Sequence, residues 1–77
     1  MDRFIEIKAQ LRELSWRDAL YLEEHVIDEA ADILFRREDL VMIMAAFPPF
    51  SQGWRLCSEK IVDLEAKLVS LAPGLMF

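Results

Sequence analysis

Apolar residues recur at helical intervals along most of the chain. Phe4, Ile7, Leu11 and Leu14 are spaced 3, 4 and 3, which makes one narrow stripe on a helix over about residues 3–14. Glu6, Lys8, Gln10, Arg12 and Glu13 fill the opposite face. Continuing that stripe would bury Asp18, Tyr21, His25, Asp28 and Asp32. The apolar register instead restarts at Trp16. Ser15 followed by Asp18 has the form of a weak capping box, so a tight turn is predicted at Leu14–Ser15.

The second predicted helix runs over about residues 16–47. Leu20, Ile27, Leu34 and Val41 fall every seven residues, with Trp16, Ala30 and Met44 between them. Ala19, Leu22, Val26, Ile33, Leu40 and Phe47 form an adjoining stripe. Two stripes make a wide apolar face, as on a helix touched by two neighbours. Arg36-Arg37-Glu38-Asp39 is a place where such a helix could break, but the register passes through it undisturbed. One long helix of about 48 Å follows from a rise of ~1.5 Å per residue. Pro48 and Pro49 end it, because each drives the preceding residue out of the helical region.

Ser51 is placed to cap a third helix over about residues 52–71. There Trp54, Cys57, Ile61, Leu64, Leu68 and Leu71 are spaced 3, 4, 3, 4 and 3, a heptad seam that Val62 and Val69 widen. Ala72-Pro73-Gly74 stops this helix, and residues 72–77 form an apolar tail. The fold class is therefore all-α, with residues 1–77 as a single domain. Short connections make neighbouring helices antiparallel. The first helix is expected to fold onto the first half of the long central one, and the third onto its second half. Such a thin three-helix arrangement leaves part of the wide stripe uncovered, and pairing two copies would complete a bundle.

Composition sharpens this picture. In 77 residues, 55% are hydrophobic. A chain this short stands near the limit of independent stability. A single cysteine excludes an internal disulfide, so tight helix packing or self-association must do that work. Charges at Asp2, Arg3, Glu6 and Lys8 interrupt any signal-peptide core, and the apolar part of the uncharged stretch Leu40–Trp54 is too short for a spanning helix of ~20 residues. A soluble, cytoplasmic protein without stable membrane insertion is expected.

The formal net charge is −5, which disfavours direct nucleic-acid binding through a basic face. The bases are scattered, and the one doublet, Arg36-Arg37, is cancelled by Glu38-Asp39. Neither turn leads into the exposed basic helix that a helix-turn-helix requires. Asp18, Glu23, Glu24, Asp28, Glu29 and Asp32 occur with no Lys or Arg between Asp18 and Asp32. Glu24, Asp28 and Asp32 share one helix face. They are candidate contacts for a basic partner, or a mimic of a phosphate backbone. The plainer reading is a solvated face, with Arg36 offsetting Asp32.

Catalytic chemistry finds little support. His25 has no acid three residues before it, so the Glu-x-x-His pair of a bundle di-iron site is absent. A surface pairing with Glu29 is expected instead. Cys57 lies on the heptad seam, where it serves as a small core residue. No glycine-rich phosphate loop or Ser/His/Asp grouping is present, and so short a chain has little room for a substrate pocket. No enzyme activity, cofactor, metal or small-molecule substrate is expected.

The most informative feature is the bend between the second and third helices. Met42, Ile43, Met44, Phe47, Pro48, Pro49, Phe50 and Trp54 cluster there, where loops are normally polar. Methionine and aromatic residues are favoured in protein contacts. Met44, Phe47, Phe50 and Trp54 are the candidate apolar contacts, with Trp16 and Tyr21 as further ones. The expected function is that of an adaptor, inhibitor or regulatory subunit acting as a homodimer on another protein. An acidic decoy that inhibits a nucleic-acid-binding host protein, in the manner of viral counter-defence proteins, is the alternative.

Overall fold

The computed structural model describes residues 2–17 and 22–73. It holds three helices, α1 (Arg3–Arg17), α2 (Glu24–Met44) and α3 (Gln52–Leu71), and no strand among the described residues. Tyr21, Asp18 and the tail residues 74–77 lie outside the described residues.

Helix α1 begins where Asp2 Oδ1 accepts from the Phe4 N–H at 2.9 Å. It does not stop at Leu14. Ser15 is not the cap of a following helix but the last inward position of α1, only 6% exposed. Its Oγ accepts a 2.8 Å hydrogen bond from the Leu22 N–H, which ties the return of the chain to α1. Trp16 is carried to the opposite side and is 82% exposed, so it starts no second helix.

The long helix predicted over residues 16–47 is correspondingly shorter. α2 has 21 residues, about 32 Å at the standard rise. It runs unbroken through Arg36–Asp39, as the undisturbed register indicates. At its end, the Ala46 and Phe47 N–H groups donate to the Ile43 and Met44 carbonyls. These tightened turns finish the helix three residues before the predicted limit, because Pro48 keeps Phe47 from continuing it.

α3 coincides with its prediction. Ser51 caps it, its Oγ accepting from the Trp54 N–H at 3.4 Å. Cys57, Ile61 and Leu68 of the heptad seam are buried, with Trp54, Leu64 and Leu71 half-buried. Val62 and Val69 do not widen the packed seam; they are 60% and 52% exposed.

α2 is the centre of the fold, with α1 and α3 packed against it and not against each other along their backbones. The pairs Arg3–Glu38, Lys8–Asp28 and Arg12–Glu24 show α1 running antiparallel to α2. Their order puts the start of α1 beside Glu38 and its end beside Glu24. α3, nearly as long as α2, follows it along its length rather than its second half alone. Arg37 meets Glu65 near the middle, and Leu68 and Ala72 join Ile27, Ala30 and Ala31 at the far end.

The core sits at that far end. Ile7 and Leu11 of α1, Ile27, Ala30 and Ala31 of α2, and Leu68 and Ala72 of α3 form one buried cluster. The alanines, 0% exposed, let the flanking helices approach closely. Burial then declines along the α2 heptad: Ile27 is 3% exposed and Val41 is 37% exposed. The radius of gyration is 13.7 Å, against about 11 Å for a compact chain of this size. The excess records a flat, elongated arrangement with one well-packed end.

Candidate interaction surface

At the loosely packed end, the α2–α3 hairpin extends past the start of α1. No charged residue lies between Asp39 and Arg55. Met42 and Phe50 are each 70% exposed, Leu56 54%, Ile43 44% and Phe47 41%. If a large side chain offers about 200 Å², these five present roughly 500 Å². As a sum over residues, that is comparable to the largest contiguous patch on a typical monomer, about 300–600 Å².

Two local devices shape this tip. The Ser51 N–H donates to the Pro48 carbonyl at 3.1 Å, closing a turn with Pro49 and Phe50 at its centre. Phe50 has φ 65°, the left-handed region that glycine or asparagine normally supplies in such a turn. An aromatic residue there is strained. Its ring lies tilted on Trp54, with centroids 5.0 Å apart. On the other side, the Phe47 ring rests against Gly53, where a Cβ would sit inside van der Waals contact of the ring. The glycine is needed for that close approach.

Of the predicted apolar contacts, the structure brings Phe47, Phe50 and Trp54 together at this tip. Met44 is at the same end but half-buried. Trp16 is not part of it. It lies at the end of α1 near the start of α2, on the same α1 face as Ile5, which is 60% exposed. Tyr21 lies outside the described residues. Leu56, exposed at the same end, is a residue that the helical pattern does not single out. It and Met42 share one signal: each is a large apolar residue standing off every stripe of its helix.

The acidic residues have a different fate. The bases missing from the local sequence arrive from α1. Arg12 pairs with Glu24, Lys8 reaches Asp28 at 2.5 Å, and Arg36 holds Asp32 at 3.1 Å. The guanidinium of Arg12, through its hydrogen bond, holds the Glu24 carboxyl below its ordinary value of 4.5. Arg3 does the same to Glu38. His25 is not paired with Glu29 as expected; its Nδ1 lies 3.2 Å from Glu23.

Elsewhere the surface offers shallow clefts. One of about 500 Å³ between α2 and α3 is lined by Arg36, Asp39, Leu40, Lys60, Asp63, Leu64 and Lys67, with acids and bases in near balance. Among the described residues, no group of three or more His, Cys, Asp or Glu could hold a metal ion, and no helix is long and apolar enough to cross a membrane. No known protein family, curated protein or solved structure matches this chain.

Proposed function

We propose that this chain is a non-enzymatic binding protein that acts through the apolar tip of its α2–α3 hairpin. One observation carries the reading: an uncharged, largely exposed cluster of Met42, Ile43, Phe47, Phe50 and Leu56 at the end farthest from the core. Leaving it in water forfeits the transfer free energy of roughly 500 Å² at ~25 cal/mol per Å². α1, which begins beside Glu38, stops short of it. An adaptor, inhibitor or regulatory subunit has such a surface, with Phe50 and Trp54 as anchors.

The acidic-decoy alternative draws less support. Glu24, Asp28 and Asp32 face the chain's own bases, so their field is partly cancelled before any partner arrives. The test is capture of proteins from the native host by the wild type and by Phe50→Asp and Trp54→Asp variants. Retained capture by both folded variants would refute the reading.

A further inference from the structure

We infer that the partner of the hairpin tip is a second copy of this chain, and that the protein is a tip-to-tip homodimer. The inference rests on the reading of the tip as a binding surface and names its occupant.

The area fits first. A standard stable interface buries about 800 Å² on each side, of which about 57% is apolar, or roughly 450 Å². Summed over its five exposed residues, the tip offers roughly 500 Å² on the same ~200 Å² scale used above, so a two-fold contact has to engage most of them. The other exposed large apolar residues, Ile5, Leu14, Trp16, Phe35, Val62 and Val69, are spread over all three helices.

Charge decides which occupant suits that area. A two-fold contact sets one patch against its own copy, so any charge within it meets its like. The tip has none from Leu40 to Trp54. Its border carries one acid, Asp39, and one base, Arg55, both exposed and without an ion-pair partner among the described residues. Opposite signs at the rim allow exchange across a two-fold axis, whereas a rim of one sign would repel. A lipid surface is the poorer match, because interfacial segments carry a basic border toward anionic headgroups, and this chain is acidic overall.

Access is also open. α1 begins beside Glu38, so two hairpin ends can approach without their first helices colliding. Phe50, thrust outward by its left-handed turn, lies on the outermost loop and near the axis.

Sedimentation velocity over a dilution series tests this, with circular dichroism as the folding control. The wild type is expected to be a concentration-dependent dimer. Phe50→Asp and Met42→Asp, at positions 70% exposed, are expected to stay helical and to dissociate at least tenfold more readily. In a Cys57→Ser background, Phe50→Cys should form an intermolecular disulfide under mild oxidation and Ile5→Cys should not. A wild type that stays monomeric at high concentration overturns the homodimer. So does a dimer that survives both aspartates, or cross-linking at position 5 instead of 50. If the wild type is monomeric but Phe50→Asp abolishes capture of a host protein, the tip remains a binding surface and only the homodimer falls. If Phe50→Asp changes neither, both fall.

Discussion

Replacing Phe50 separately by alanine and by glycine separates the strain of the tip from its stickiness. Both substitutions delete the same ring. About 60 Å² of its ~200 Å² is buried in one copy, so each loses up to about 1.5 kcal/mol of fold stability. They differ in the backbone. At φ 65° alanine keeps a left-handed penalty of about 1–2 kcal/mol, which glycine escapes. Glycine gives back part of that, about 0.5–1 kcal/mol, through its greater freedom in the unfolded chain. Phe50→Gly is therefore expected to be more stable than Phe50→Ala by roughly 1 kcal/mol, or ~4–8 °C in Tm. At an ordinary helical or extended position the order would be reversed. Urea unfolding followed by circular dichroism, at concentrations where both variants are monomeric, measures it as a shift in midpoint at constant slope. Both variants should lose self-association alike, since each gives up the same ~140 Å² of exposed ring. An alanine variant as stable as the glycine one, or more so, would refute the strained turn and with it the account of why Phe50 projects.

Other consequences follow from the same geometry. Leu68→Ala empties a side chain that is 0% exposed and should cost about 2–5 kcal/mol, a large part of the ~4–11 kcal/mol expected for a domain of this size; thermal melts will show it. Gly53→Ala improves helix propensity by about 1 kcal/mol, but the new Cβ displaces the Phe47 ring, which is 41% exposed and has room to swing outward; a shifted Phe47 ring resonance is expected, and an unshifted one would contradict the close approach. Ser15→Ala removes the acceptor of the Leu22 N–H and should cost about 1–3 kcal/mol, with faster hydrogen exchange at the Leu22 amide. The carboxyls of Glu24 and Glu38 titrate lower in the folded chain than their ordinary 4.5. Their contribution is thus full above that value and lost as pH falls through the depressed folded values. The acid-induced drop in Tm should shrink in Glu24→Gln and Glu38→Gln, and in high salt.

How much of this was legible beforehand differs from element to element. α3 was readable because its signals are local: Ser51 caps it, the 3–4 spacing from Trp54 to Leu71 defines its seam, and Pro73 follows its end. The α1–α2 boundary was not. No glycine or proline lies between Trp16 and Phe47, so periodicity alone joined Trp16 to the next helix. The Ser15 hydroxyl of α1 instead accepts from the Leu22 N–H just before α2, a contact that periodicity does not reveal. The acidic stripe is legible only in part. The Arg36–Asp32 pair follows from i,i+4 spacing, whereas Lys8 and Arg12 come from a different helix and reach Asp28 and Glu24 only through antiparallel packing. Leu56 was overlooked because a pattern search rewards apolar residues on a stripe and discards those off it.

By itself, the order of residues determines the all-helical class, the unbroken course of α2 through Arg36–Asp39 and the uncharged bend, since each depends on propensity, capping and spacing within a few turns of chain. Tertiary structure alone decides which apolar residues are covered. Periodicity ranks Ile27 and Val41 as equals, but α1 and α3 converge on Ala30 and Ala31 and bury the first, while the second is 37% exposed and Met42 and Phe50 of the tip are 70% exposed. Burial depends on where neighbouring helices approach closely enough to exclude water, and that is a property of the packed chain.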